Sequence, residues 1–348
     1  MVKPLALRCH STVVGGISLS QEVGSLQARP RVLATYAMPA RVVGEIQSFA
    51  DLSILPGESA PERVLENCNG FDALICTLMN KVTADFIDRL PPSIRLVATY
   101  SVGIDHIDLR ALQARRIALV NTPDVLTEAT ADIAWLLLLG AARRASEAEA
   151  LLRSGMWTGW EPNQLVGTDI HGSTLGILGF GRIGRAVARR AAGFGMNILT
   201  SVRSSSAGDP PPPGTIICSS MEEVLAGSDF LSLHLPLTEE TQNWLNAERI
   251  ASMKSGAIVI NTARGGLIDE TALIAALQSG KLGGAGLDVF VGEPDIRRDL
   301  VEAPNTFLLP HLGSATRRAR EGMGLSLARD IAAFFAGRPV ENGVGVSK

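Results

Sequence analysis

The segment TLGILGFGRIGRAVARRA, residues 174–191, decides how the rest of the chain is read. It opens with strand-like TLGILGF, turns through GFGRIG at 179–184, and continues with the apolar period of a helix. The spacing G-x-G-x-x-G between strand and helix has a mechanical reason at each glycine. Gly179 permits the tight turn, Gly181 lets backbone approach a pyrophosphate, and Gly184 allows close helix–strand packing. Arg182 and Ile183 fall between the last two, and the positive end of the following helix faces the phosphates. The expectation is a dinucleotide-binding βαβ unit, against the plainer alternative of a structural turn.

The alternation continues on both sides of this unit. Downstream, NILTSV (197–202), FLSLHLP (230–236), AIVINTA (257–263), GAGLDVF (284–290) and TFLLPH (306–311) read as strands. Helices are expected at 221–227, 246–253, 270–279 and, to close, near 315–336, while the proline loop AGDPPPPG (207–214) cannot sit in a central strand. Upstream, RVLATY (31–36), FDALICTL (71–78), IRLVATYS (94–101) and RIALVNTP (116–123) are strands, with helices ARVVGEIQSF (40–49) and TADFIDRL (83–90). Strands alternating with helices imply parallel sheets. One long helix from Thr127 to Leu152 bridges the two series, and 154–172, with its glycines, proline and two tryptophans, reads as a loop.

The expected fold is therefore α/β: two Rossmann-like or flavodoxin-like lobes with doubly wound parallel sheets, the nucleotide domain inserted into a split substrate domain. Residues 30–125 and 315–348 would form the substrate domain, 126–314 the nucleotide domain, and 1–29 a poorly ordered N-terminal extension rather than a transit peptide. A chain of 348 residues is long enough for two cores. Its net charge of −3 excludes the basic surplus that goes with nucleic-acid or anionic-membrane partners. The longest apolar run, IAWLLLLGAA (133–142), is about half of the roughly 20 residues a membrane span needs. Cys9, Cys68, Cys76 and Cys218 show neither CxxC nor metal-ligand spacing, so they read as reduced thiols of a cytoplasmic protein that carries no metal.

The nucleotide fingerprint usually continues with an Asp or Glu ~20 residues on, which binds the ribose 2′-hydroxyl. Here no carboxylate occurs between Gly184 and Asp209, and Arg203, Ser204 and Ser205 stand in that place. A guanidinium with hydroxyls suits a 2′-phosphate, and the missing acid removes a repulsion against it. NADPH is expected in preference to NADH, the alternative being that Arg203 is a solvated loop cation.

Three ionisable residues sit at the tips of successive strands of the second series: Arg264, Glu293 and His311. Ligands of open α/β sheets bind outside the carboxyl ends of the strands, so all three side chains can reach one crevice. An arginine fork can hold a carboxylate bidentately. A histidine can hand a proton to a carbonyl oxygen as hydride reaches the carbon, and a paired carboxylate orients the ring and favours its charged form. Beside a nicotinamide site, this describes reduction of a 2-oxo acid to a 2-hydroxy acid.

Several stretches also resemble a known family. ATYSVGIDHID (98–108), TLGILGFGRIGRAVARRA (174–191), LHLPLTEETQNWLN (233–246), INTARGGLIDETALIAALQSGKLGGAGLDVFVGEP (260–294) and LLPHLGSAT (308–316) are similar to the D-isomer-specific 2-hydroxyacid dehydrogenases. The likeness runs over about residues 70–340 and is strongest to the glyoxylate/hydroxypyruvate reductase branch. It implies Arg264 as the substrate clamp, Glu293 as the partner of histidine, and His311 as the proton donor. It further implies that the amides of Val102 and Gly103 bind the substrate carboxylate, so that catalysis requires closure of the two lobes. Pro236, Thr241, Thr262, Ala263 and Gly313 would contribute to the cofactor site. Asp288 would lie near the nicotinamide carboxamide or serve as a structural turn residue, and His234 and His106 would be structural. Trp160 would reach into a partner subunit's pocket or make a plain dimer contact, in a homodimer built on the long helix and the tryptophan loop. The implied reaction is D-specific reduction of glyoxylate or hydroxypyruvate. A bulkier 2-oxo acid, of hydroxyphenylpyruvate or D-lactate type, and a nucleotide-sensing corepressor on the same scaffold are the alternatives.

Overall fold

The computed structural model describes residues 28–55, 60–201 and 211–345. The first series supplies β1 (Arg31–Ala34), β2 (Asp51–Ile54), β3 (Ala73–Cys76), β4 (Leu96–Thr99) and β5 (Ala118–Val120). The second supplies β6 (Thr174–Leu178), β7 (Asn197–Thr200), β8 (Thr215–Ile217), β9 (Phe230–Leu233), β10 (Ala257–Asn261), β11 (Leu282–Leu287) and β12 (Thr306–Leu308), and the chain ends with β13 (Gly343–Val344).

These form two sheets, in the orders β13-β5-β4-β3-β1-β2 and β12-β11-β10-β9-β6-β7-β8. Every pairing is parallel except β13 against β5, a two-residue antiparallel edge that the expectation of purely parallel sheets did not contain. Both orders reverse direction beside their first strand, which is the doubly wound arrangement and creates a crevice at the carboxyl ends. Burial explains the strand composition. β3, β4, β9 and β10 are buried along their whole length, because helices cover both faces of a parallel sheet.

Each sheet has one core per face. In the first lobe, Val42 and Ile46 of the helix Ala40–Phe49 meet Met323, Leu327 and Ile331 of the closing helix Arg317–Phe335. The chain thus returns to the lobe where it began. In the second lobe, Ala134, Leu137, Leu138 and Ala141 pack with Ile177, Phe230, Ile258 and Ile260.

The structure corrects several expectations. The long helix from Thr127 to Leu152 is two helices, Thr127–Ala142 and Ala145–Arg153, broken where Arg144 takes φ +53°. The first half is buried on most of its surface and the second has no buried residue. The break also brings Gly167 and Thr168 against the Ala142 carbonyl, where the Thr168 amide donates at 2.9 Å. Only the start of the first helix serves as a bridge: Leu126 and Ala129 join the first lobe's core, while the rest belongs to the second lobe. The short elements β2, β8, Pro61–Asn67 and Leu109–Ala114 were not anticipated. β2 and β8 are edge strands with exposed residues, so neither carries the continuous apolar signal of a buried one. The expected extension 1–29 lies outside the described residues up to residue 27.

Candidate active site

β10, β11 and β12 are neighbours, and their carboxyl ends deliver Arg264, Glu293 and His311 to one cleft. The cleft has a volume of about 1070 Å³ and is walled by both lobes, by Tyr100, Val102 and Gly103 from one side and by Thr262, Asp288 and Gly313 from the other.

His311 adopts φ +55°, a left-handed conformation rare for a residue with a Cβ and concentrated at functional sites. It is held there because its amide donates to the Asp288 carbonyl at 3.0 Å. Its Nδ1–H donates to Glu293 Oε2 at 2.8 Å, leaving Nε2 as the nitrogen not engaged with the carboxylate. Glu293 is fixed in turn, since its Oε1 accepts from the Phe290 amide at 2.7 Å. Burial works to raise the Glu293 carboxyl. The hydrogen bond and charge of His311, with the Phe290 amide and Arg264, outweigh it and hold the group below the usual carboxylate range. A second buried acid, Glu270, accepts from the Val291 amide at 2.8 Å, so two carboxylates fasten the loop after β11.

Arg264 donates from Nη1 to the Ala263 carbonyl at 2.7 Å and from Nε to Asp105 Oδ1 at 2.8 Å. Its backbone carbonyl accepts from Asn261 Nδ2 at 2.9 Å. Gly103 lies directly against the guanidinium: a Cβ added there would stand 1.6 Å from Nη2. The carbonyls of the Val102–Gly103 turn are tied back, one by Asn121 Nδ2 at 2.9 Å and the other by Ser101 Oγ at 2.7 Å. Among the described residues neither amide of this turn has a protein acceptor. Two free N–H groups beside a guanidinium suit a carboxylate.

The glycine loop is built as tightly as its spacing requires. Gly179 has φ +93°, and a Cβ there would meet the His234 carbonyl carbon at 2.4 Å. Gly184 lies against the Gly179 carbonyl, 2.2 Å from an ideal Cβ. Above Gly181 there is nothing within 4 Å, an open face at the start of the ten-residue helix Arg182–Ala191. Thr262 Oγ1 is buried in the cleft wall and has no hydrogen-bond partner among the described residues. An open face where a side chain would intrude, a helix N-terminus and an orphan hydroxyl fit a dinucleotide.

Other residues stand differently from the sequence reading. Thr241 is not part of the cleft wall: its hydroxyl donates to the Pro236 carbonyl at 2.7 Å and accepts from the Thr238 amide at 2.8 Å, bracing the turn that carries Pro236 into the wall. The Arg182 guanidinium pairs through Nε with Asp124 at 2.8 Å, an exposed ion pair to the connection between the lobes. Ile183 lines the cleft and touches the cores of both lobes. The two Asp288 oxygens accept from the amides of Leu312 and Gly313 at 2.6 and 2.8 Å, which holds the turn after His311, and burial pushes its carboxyl up. Of the two readings for Asp288, these contacts are those of a turn residue. Trp160 is 80% exposed and outside the cleft of its own chain. His106 and His234 are scaffold: each is held by a hydroxyl, from Thr99 at 3.0 Å and Ser232 at 2.8 Å, and burial brings each pKa down to about 4. Arg203, Ser204 and Ser205 lie outside the described residues, as does Cys9. Cys68, Cys76 and Cys218 are free and buried. Among the described residues there is no His, Cys, Asp or Glu cluster able to hold a metal, and no helix long and apolar enough to cross a membrane. Sequence reasoning assigned no role to Asp105, Asn121, Asn261 or Glu270, although each lay inside a stretch already quoted: ATYSVGIDHID, RIALVNTP and, for the last two, the segment 260–294.

A cleft between two doubly wound lobes, with a glycine loop at one end and a paired histidine and carboxylate facing an arginine, defines a pyridine-nucleotide oxidoreductase. Residues 135–313 match the family model for the D-isomer specific 2-hydroxyacid dehydrogenase, NAD binding domain. The glycerate dehydrogenase of Hyphomicrobium methylovorum is 43% identical, covering 89% of this chain and 97% of its own. The glyoxylate reductase of Thermococcus kodakarensis is 44% identical, over 89% and 94% respectively. Among solved structures, the NADPH-dependent glyoxylate/hydroxypyruvate reductase from Sinorhizobium meliloti, in complex with NADP and malonate, superposes with a TM-score of 0.81 at 32% identity, over 91% of this chain and 97% of that one. The chain belongs to the D-isomer-specific 2-hydroxyacid dehydrogenase family.

Proposed function

We propose that the protein reduces small 2-oxo acids, glyoxylate and hydroxypyruvate first among them, to D-2-hydroxy acids with NADPH as preferred reductant. The observation that carries this reading is a single cleft bounded by Arg264, by the His311–Glu293 pair and by the unpartnered amides of Val102 and Gly103. Bound against the glycine loop and the walls formed by Pro236, Thr262, Ala263 and Gly313, the reduced nicotinamide supplies hydride.

This chain's residues do the rest. Arg264 Nη2 and the two amides hold the substrate carboxylate, which turns the carbonyl toward His311. His311 donates a proton from Nε2 to the carbonyl oxygen as negative charge develops there. Glu293 keeps Nδ1 engaged, so the ring is aimed and the imidazolium is stabilised before transfer. Asp288 acts at one remove, by fixing the Leu312–Gly313 turn.

The preference for NADPH rests on Arg203, Ser204 and the absence of a carboxylate between Gly184 and Asp209. The NADPH-dependent relative from Sinorhizobium meliloti supports it. The separation of the strands into two sheets supports a division into 30–125 with 315–348 against 126–314. A homodimer is supported by exposed Leu152, Met156, Trp157, Trp160 and Val166, gathered in one short segment, with Trp160 as the residue offered to the partner's cleft. Free buried thiols suit a cytoplasmic setting.

The test is a panel of 2-oxo acids assayed with NADPH and NADH side by side. Glyoxylate and hydroxypyruvate should give the highest kcat/KM, and NADPH should exceed NADH by about tenfold or more, the worth of one good charge-assisted contact. Faster turnover with NADH would remove the cofactor assignment. Absence of turnover with every acid would leave a nucleotide-binding protein without the reaction.

A further inference from the structure

We propose that Asp105 is a positioning residue: it locks the guanidinium plane of Arg264 so that Nη2 is presented to the substrate carboxylate. The proposal rests on the role given to Arg264 above.

The donor inventory of the arginine carries the argument. A guanidinium has five N–H groups in a rigid fork. Asp105 Oδ1 takes Nε–H at 2.8 Å and the Ala263 carbonyl takes one hydrogen of Nη1 at 2.7 Å. The fork is thereby held at two of its three nitrogens, and among the described residues Nη2 has no protein acceptor. Nη2 is also the nitrogen that abuts Gly103, where a Cβ would stand 1.6 Å away. The one unassigned end of the fork therefore lies beside the two unassigned amides.

Asp105 is itself preset. Its loop is anchored from within the first lobe: Thr99 Oγ1 meets Ser101 Oγ at 2.8 Å and His106 Nε2 at 3.0 Å, and Ser101 Oγ donates to the Gly103 carbonyl at 2.7 Å. His106, buried and next to the acid in sequence, ties this loop to β4 through Thr99. The ion pair joins the lobes, since Asp105 follows β4 and Arg264 follows β10. Only 24% of the arginine side chain and 30% of the aspartate side chain are exposed, a more sheltered pair than the exposed ion pairs elsewhere on the surface. A supporting contact of this kind decides whether a site is held to catalytic tolerance.

Asp105→Ala should lower kcat/KM for glyoxylate about a hundredfold, the typical cost of misplacing a binding group by about 1 Å, with the KM for NADPH unchanged. Asp105→Asn, which keeps an oxygen acceptor for Nε, should fall between the two. In an Arg264→Gln background, Asp105→Ala should cost less than about twofold further, because the group it positions is gone. If Asp105→Ala does not fold, the isosteric Asp105→Asn carries the same cycle. Wild-type kcat/KM in either variant that folds, or an equal loss with and without Arg264, overturns the proposal. Arg264→Gln at wild-type turnover would instead remove the functional reading on which it rests.

Discussion

Replacing His311 with alanine should lower kcat by about 10²–10⁴-fold, the usual worth of a positioned general acid. The KM or binding constant for the nucleotide should hardly move, because His311 is assigned to the substrate carbonyl and not to the glycine loop. The size of the effect follows from how much of the surrounding structure is devoted to this one ring. Its backbone is kept at φ +55° and its Nδ1 is committed to Glu293 at 2.8 Å. Asp288 holds the turn behind it. Glu293→Gln is the informative companion. It keeps an oxygen for Nδ1–H and removes the charge that stabilises an imidazolium, so it should lose less than His311→Ala and lose most at the alkaline end of the pH profile. In the native protein the depressed carboxyl of Glu293 makes a stabilising contribution present above its ordinary pKa. That contribution disappears as pH falls through the lower, folded value, so acid should weaken the pair only below the usual range of glutamate titration. A His311→Ala variant with native kcat would remove the residue from the mechanism.

Arg264→Gln should lower kcat/KM for glyoxylate by about 10²–10³-fold, with a sharply raised KM for the acid and little change for NADPH. Glutamine spans part of the distance but carries no charge. It leaves the Val102 and Gly103 amides as the remaining anion contacts, and it strands Asp105 without its partner. Because the guanidinium assigned to the substrate also meets Asp105 of the first lobe, both substrate binding and this contact between the lobes should suffer. A KM within twofold of native would show that the carboxylate is held elsewhere.

What the sequence made legible follows physical range. The glycine loop could be read because the constraint on each glycine is local: a turn, an open face and a close contact lie within six residues of one another. Arg264, Glu293 and His311 could be read because each sits just past a strongly apolar strand, and a parallel sheet carries such tips to one edge. The break at Arg144 was hidden because neither glycine nor proline marks it. Beside the left-handed Arg144, the segment around Gly167 packs on the Ala142 carbonyl, a contact with no local sequence signal. Asp105 was hidden for the opposite reason: its partner lies 159 positions away, and nothing local distinguishes it from a turn acid. Thr241 belongs to a recognisable motif, and its hydroxyl is engaged inside its own turn, a detail that the motif does not reveal.

The most direct test of the reaction geometry is a crystal structure with NADPH and oxamate, which mimics a 2-oxo acid but accepts no hydride. The account predicts the oxamate carboxylate in hydrogen-bond contact with Arg264 Nη2 and the amides of Val102 and Gly103, and its carbonyl oxygen in contact with His311 Nε2. Oxamate seated away from Arg264, or His311 turned so that Nε2 faces no substrate oxygen, would contradict it.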